Sequence, residues 1–419
     1  MRASHVLVLA ALLTLIGAGC GVAFAHGEAA DKPFLKDLTT AFYDVQITPT
    51  TVQVGQPVTI TGKVQVLSTW PYTLHAPEVG YITPVVPGPQ LALIDRTING
   101  QEATGSILIK REGVYDFKMV LEGRTPGRWH VHPGFAVQSV GTLIGPGEWI
   151  TVLPTAGGFH LPVTLATTGK TVDVETLGSG FVWWWAFVGL IPGLIWMVYW
   201  TVPKPTVTRL AVNVQIPPSD DGRDIGLVTA ADHRWCDWLA GITLLILVVG
   251  WVAMASAYPV RIPQQTDWFV PTPPPSQPHL AEVQAMGATY NEPDPMQPGT
   301  LVMNVQVKNV GASPLKVTRF VMAMGTFLNT DTPGAVTGPQ DFVQKALTVD
   351  PGTPIAPGET RTLKLTVAST MFHVERLIPY QDPQEQIAGL LTVENGAGQS
   401  QNVTVTMGVE SKIGSGYGY

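Results

Sequence analysis

Two uninterrupted apolar stretches constrain this 419-residue chain more than any other feature. Phe181 to Val202 runs 22 residues without a charge, and Trp238 to Tyr258 runs 21. As helices, both are long enough to cross a hydrocarbon core about 30 Å thick. Trp183, Trp184, Trp185, Trp200, Trp235 and Trp238 lie near their ends, where an indole can keep its ring in the apolar region and its N–H at the interface. The alternative, a pair of buried core helices, needs a large soluble α-domain that the rest of the sequence does not offer. Only 13% of residues are charged, about half the share of an ordinary soluble protein, so part of the chain belongs in lipid. The net charge of −7 provides no basic face for nucleic acid, and that class of partner is excluded.

The N-terminus carries Arg2, an apolar run from Val6 to Ile16, and the small-x-small pattern Ala23-Phe24-Ala25. The run is too short to span a bilayer. It predicts a secretory signal over residues 1–25, with His26 as the mature N-terminus. A lipoprotein signal ending at Cys20 competes with this reading, but Gly17-Ala18-Gly19 lacks the aliphatic residue such signals place three before the cysteine. A cleaved signal and two spans put residues 26–177 and 259–419 outside the cytoplasm, flanking a membrane region over 178–258. The loop between the spans carries Lys204, Arg209, Arg223 and Arg234, in agreement with the positive-inside rule, to which its five aspartates contribute little. The only cysteines are Cys20, in the leader, and Cys236, beside the second span. The mature chain therefore has no intramolecular disulfide, although its larger parts face an oxidising compartment.

Both flanking segments are predicted to be mainly β. Thr51-Val52-Gln53-Val54 and Val58 to Val66 alternate in the first, and Met303 to Val310 and Thr362 to Val367 in the second. Gly/Pro turns separate the runs, among them Val86-Pro87-Gly88-Pro89, Gly145-Pro146-Gly147 and Ala356-Pro357-Gly358. Short strands at this spacing, with about 150 residues per segment, predict a β-sandwich or Greek-key barrel on each side of the membrane region. The linker Thr272-Pro273-Pro274-Pro275 is expected to be extended and stiff, and the tail Gly414 to Tyr419 mobile.

The chemistry concentrates in Arg128-Trp129-His130-Val131-His132-Pro133. On a strand, side chains alternate with period two, so His130 and His132 share a face. Two neutral imidazoles on one face form half a metal site, although such a pair also arises by chance on a solvated strand. A mature N-terminus at His26 changes the balance, because its α-amine and ring Nδ1 can chelate one metal. Three histidines then supply four nitrogen donors, a set suited to tetragonal copper. No thiolate lies near these histidines, which excludes a blue-copper electron-transfer site. His75 and His160 lack a partner at ligand spacing and are expected to be surface or hydrogen-bonded residues. Glu28 is a candidate to orient the His26 donors. His279 and His373, far apart in sequence, leave the second β-segment as scaffold. The sequence carries no phosphate-cradling Gly-rich loop, Ser nucleophile elbow, zinc-type CxxC pair or HExxH motif.

The run Tyr115-Asp116-Phe117, then Arg124 to His132, then Gly145-Pro146-Gly147-Glu148-Trp149-Ile150-Thr151-Val152 resembles the B subunit of particulate methane monooxygenase and ammonia monooxygenase. Trp70-Pro71, Thr168 to Asp173, Tyr258 to Pro263 and Ala356 to Thr362 extend the resemblance over essentially the whole mature chain. It implies two cupredoxin-like domains joined by two transmembrane helices. It also implies two other integral-membrane subunits, assembled as a trimer of heterotrimers, and copper-dependent oxidation of a small inert substrate by O2 with electrons from quinol. His26, His130 and His132 match the family's copper ligands position for position. The sequence departs from methane-oxidising relatives in Thr40-Ala41-Phe42-Tyr43-Asp44, where Ala41 replaces a histidine they can carry, and this argues against a second copper site in the domain. Neither span offers an intramembrane Asp, Glu or His to hold a metal, so a copper-binding role is better supported than that of the catalyst itself. The competing functions are a non-catalytic copper-storage or assembly scaffold and a stand-alone copper-delivery protein. The scattered Met119, Met286, Met296 and Met303 do not favour a Cu(I) carrier.

Overall fold

A computed structural model describes residues 33–378 and 385–413, apart from 167, 206–207, 209–210, 213–214, 216–228, 258–267, 293, 295–296 and 335. The leader, His26, Glu28, Cys20, most of the inter-span loop and the tail from Gly414 lie outside the described residues. The chain is mainly β with two long apolar helices.

The first β-region contains two sheets. Thr40–Thr48, Pro57–Val66, Val114–Gly123, Leu91–Ile98 and Gln101–Glu102 form one, in that spatial order. Thr51–Gln53, Glu148–Leu153, Gly127–Val137, Val79–Val85 and Ile107–Leu108 form the other, with Gly141–Ile144 paired to the Gly127–Val137 strand. Alternation dictates which residues meet: Val58, Ile60, Phe117, Met119, Leu121, Val131, Phe135 and Ile150 are all buried. Tyr115 of the first sheet stacks on Phe135 of the second with centroids 6.0 Å apart.

The second β-region is a closed barrel of eight strands. The two alternating runs legible in its sequence lie side by side: Gly299–Asn309 pairs antiparallel with Thr360–Ser369, in a register that sets Met303 opposite Leu365 and Val305 opposite Leu363. Gly358 turns the chain into that second strand with φ 75°, a left-handed conformation that favours glycine. Ala281–Glu292 and Ser400–Ile413 pair in parallel and close the barrel. Tyr290, Leu301, Phe320, Phe327 and Leu391 fill its interior, as expected for a barrel of this strand number.

The two β-regions make one compact unit. Leu38, Ala41, Tyr43 and Leu67 of the first share a buried cluster with Val321, Ala388 and Leu390 of the second. The Phe42 amide donates to the Ala323 carbonyl at 2.8 Å, Lys36 Nζ donates to the Glu375 carbonyl at 2.8 Å, and Arg319 pairs with Asp44. The Pro-rich linker is tied down as well, with Thr272 bonded through its carbonyl to Asn99 and through its amide to Gln101. Burying one large apolar side chain is worth about 1.5–3 kcal/mol. A few such contacts match the net stability of a typical domain, about 5–15 kcal/mol, so the regions should fold together.

A second unit covers Phe159–Gln265. Its helices, Ser179–Thr201 and Ala230–Ala257, are long and apolar enough to cross a membrane. They leave large side chains such as Trp183, Trp238 and Trp251 exposed, unlike core helices of a soluble domain. The second helix starts eight residues before the apolar stretch, for a local reason. Thr229 and Asp232 form a reciprocal cap: the Thr229 amide donates to the Asp232 carboxylate at 2.7 Å and the Asp232 amide to Thr229 Oγ1 at 3.3 Å, the geometry of a capping box. Asp232 is fully buried and also accepts from Tyr199 and Lys204, which ties the end of the first helix to the start of the second.

Candidate metal centre

His130 and His132 lie on the Gly127–Val137 strand and share a face, as period two requires. Their rings are 4.3 Å apart at 79°, with Nδ1 of His130 3.0 Å from Nε2 of His132. Val131 between them points into the sandwich core and is fully buried. His132 is only 3% exposed, because the second β-region covers the histidine face: Phe342 sets its ring edge toward His132, with centroids 6.1 Å apart at 76°.

The Gly145-Pro146-Gly147 turn orients His132. Nδ1 lies 2.8 Å from the Gly145 carbonyl, which only accepts, so the proton sits on Nδ1 and the lone pair on Nε2. Gly147 leaves room for the ring, since a Cβ there would approach its atoms to 2.4–2.6 Å. Trp149 is the cross-strand neighbour of His130 and stacks on its imidazole at 4.8 Å and 25°. The Arg128 guanidinium covers the indole at 4.6 Å. A cavity of about 490 Å³ opens beside the pair, lined by His130 and Trp149 from the first region and by Phe342, Met371 and Glu375 from the second.

The two nitrogens fit a shared metal ion. Bonds of about 2.0–2.1 Å at a right angle would place adjacent donors about 2.9 Å apart, against about 3.4 Å for a tetrahedral angle. The observed 3.0 Å is also an ordinary hydrogen-bond length, with Nδ1 of His130 donating to the Nε2 lone pair of His132, and a bound metal would take the place of that proton. Among the described residues, no group of three or more His, Cys, Asp or Glu that could hold a metal is found, and His26 lies outside them.

The other histidines are held elsewhere. Nδ1 of the exposed His75 lies 3.0 Å from the Ala76 carbonyl. His160 pairs with Asp173 at 2.7 Å, and this contact lowers the Asp173 carboxyl to about 2. His279 is exposed, while His373 meets the buried Glu292 carboxylate at 3.0 Å. Ala41 is fully buried in the shared core. Sequence reasoning missed Phe342 as a wall of the site: it is 210 residues from His132, with no motif to connect them. The second region is thus more than a scaffold remote from the histidines. Gly147 is legible in sequence only as turn material, since its role depends on where the His132 ring lies.

Two adjacent imidazoles on a mainly β scaffold, in a chain with two helices long and apolar enough to cross a membrane, define a mainly β protein of membrane type. The chain belongs to the family of monooxygenase B subunits, whose model matches residues 27–411. It is 34% identical over 388 residues to the particulate methane monooxygenase alpha subunit of Methylococcus capsulatus (Bath), covering 91% of each chain. Solved structures with detectable likeness include the cupredoxin domain of amoB from Nitrosocaldus yellowstonii, at 16% identity and TM-score 0.25, over 32% of this chain and 97% of that one.

Proposed function

We propose that this chain is the copper-binding B subunit of a membrane-bound monooxygenase that hydroxylates a small inert substrate, methane, ammonia or a short alkane, with O2 and electrons from quinol. His130, His132 and the amine and imidazole of a mature N-terminal His26 would hold the copper. The observation that carries this reading is the 3.0 Å approach of Nδ1 of His130 to Nε2 of His132, with the His132 tautomer set by Gly145. Copper bound there supplies a one-electron redox centre. The chain's own contribution is to hold Nδ1 of His130 and Nε2 of His132 side by side and to keep water from His132.

The apolar helix surfaces fit lipid and the helices of two further integral-membrane subunits, in a trimer of heterotrimers. Both β-regions would then stand outside the cytoplasm, with the Lys204–Arg234 loop inside. Copper titration of the purified full-length chain tests the site. Wild type should bind Cu(II) with a tetragonal, nitrogen-rich EPR spectrum; His130→Ala and His132→Ala should each weaken binding sharply, and His75→Ala should not. Turnover of the assembled complex separates a catalytic from a scaffolding role. Normal oxidation by a His132→Ala complex that has lost this copper would leave the site structural.

A further inference from the structure

Strand geometry fixes where the two histidine side chains leave the backbone but not the planes of their rings. Histidine χ2 is broad and roughly two-fold, so a ring flip would replace Nδ1 of His130 with a carbon. Something else must hold the rings. For His130 the structure provides Trp149, which sits opposite it across the strand pair and lies nearly parallel to its ring. The indole is itself sandwiched, with Arg128 against it at 4.6 Å, so tilting it would sacrifice two contacts. For His132 the Gly145 carbonyl holds one edge, the Gly147 backbone lies against the ring, and Phe342 stands beside it. Phe342 is 2% exposed and is fixed by backbone bonds on both sides: its amide donates to Pro339 at 3.0 Å and its carbonyl accepts from Thr326 at 2.8 Å. It also lines the cavity beside the pair.

We infer that Trp149 and Phe342 are positioning residues that hold the His130 and His132 imidazoles in their ligand orientation, so that the second β-region completes the metal site. The inference rests on the copper-binding reading above and gives the barrel a part in it. Groups that orient metal ligands typically contribute about 10- to 100-fold in affinity. Neither aromatic residue touches the metal itself; each acts through a histidine.

The test uses the full-length chain, Cu(II) as the probe, and the EPR spectrum as a readout that a general loss of packing does not move in a defined way. Trp149→Leu and Phe342→Leu keep apolar bulk without a ring, while Trp149→Phe keeps a stacking ring. The two leucine variants should bind Cu(II) about 10- to 100-fold more weakly and show shifted or split parallel hyperfine lines. Trp149→Phe should restore the single wild-type spectrum. An unaltered spectrum in both leucine variants, at any affinity, overturns the inference, as does a Trp149→Phe spectrum no closer to wild type than that of Trp149→Leu. If one leucine variant does not fold, the other decides. A wild-type chain that takes up no Cu(II) overturns the copper reading and this inference with it; normal wild-type uptake with unaltered variants overturns this inference alone.

Discussion

Replacing Gly147 with alanine adds one methyl group at the most crowded point of the site. Its φ lies outside the left-handed region, so crowding rather than backbone strain decides the outcome. The new Cβ would lie 2.4 Å from Cε1, 2.5 Å from Nδ1 and 2.6 Å from Nε2 of His132. Ordinary carbon contacts begin near about 3.5 Å, so the ring must move by roughly 1 Å. It has little room: the residue is 3% exposed, Nδ1 is bonded to Gly145 at 2.8 Å, and Phe342 stands beside it. Overpacking of this kind costs about 1–3 kcal/mol, and losing the Gly145 hydrogen bond adds about 0.5–1.5 kcal/mol. A total loss of about 2–4 kcal/mol should appear as a lower denaturant midpoint with an unchanged slope. Copper affinity should fall at least about tenfold, because Nε2 moves off the point it shares with His130. Denaturant unfolding reads the first effect and Cu(II) titration the second. A Gly147→Ala chain with wild-type stability and wild-type copper binding would refute the packing argument.

Three further outcomes are expected. Burial pushes the Tyr43 phenol up to about 12; because the folded value is the raised one, its stabilising contribution is complete below about pH 10 and is lost as pH rises from about 10 to 12, about 2–3 kcal/mol in all. Denaturation midpoints across that window should fall in wild type and less in Tyr43→Phe, and identical slopes would exclude Tyr43 as the cause. Asp232→Ala removes the helix cap and the carboxylate that Tyr199 and Lys204 share, so melting in detergent should show a loss of at least about 1–2 kcal/mol; an unchanged midpoint would mean the cap is not stabilising. N-terminal sequencing of the mature chain should begin His26-Gly27-Glu28, whereas a blocked, lipid-bearing Cys20 would remove the proposed amine donor.

The histidine pair is legible in sequence because period two is a property of any strand, whatever surrounds it. The two helices are legible because 22 and 21 uncharged residues leave few other solutions. Alternation also locates the Pro57–Val66 and Gly299–Asn309 strands to within a few residues. The contacts that cross long sequence distances are not legible. Nothing near Phe342 marks it as a neighbour of His132, and nothing near Arg319 marks Asp44. Asp232 escapes for a different reason: by composition it is one loop aspartate among five, although Thr229-x-x-Asp232 is a local capping signal and the side chain is buried.

Closure of the barrel by its final strand sets a schedule for biosynthesis. Ser400–Ile413 pairs in parallel with Ala281–Glu292, so the first barrel strand to leave the ribosome waits for the last. The sandwich strand carrying His130 and His132 emerges long before Phe342, which covers His132. Until then the wall that Phe342 supplies is missing, and the ribosome has yet to add more than 200 residues beyond His132. His132 therefore gains its cover only once the second β-region has been made, so the burial of this early strand depends on residues added much later.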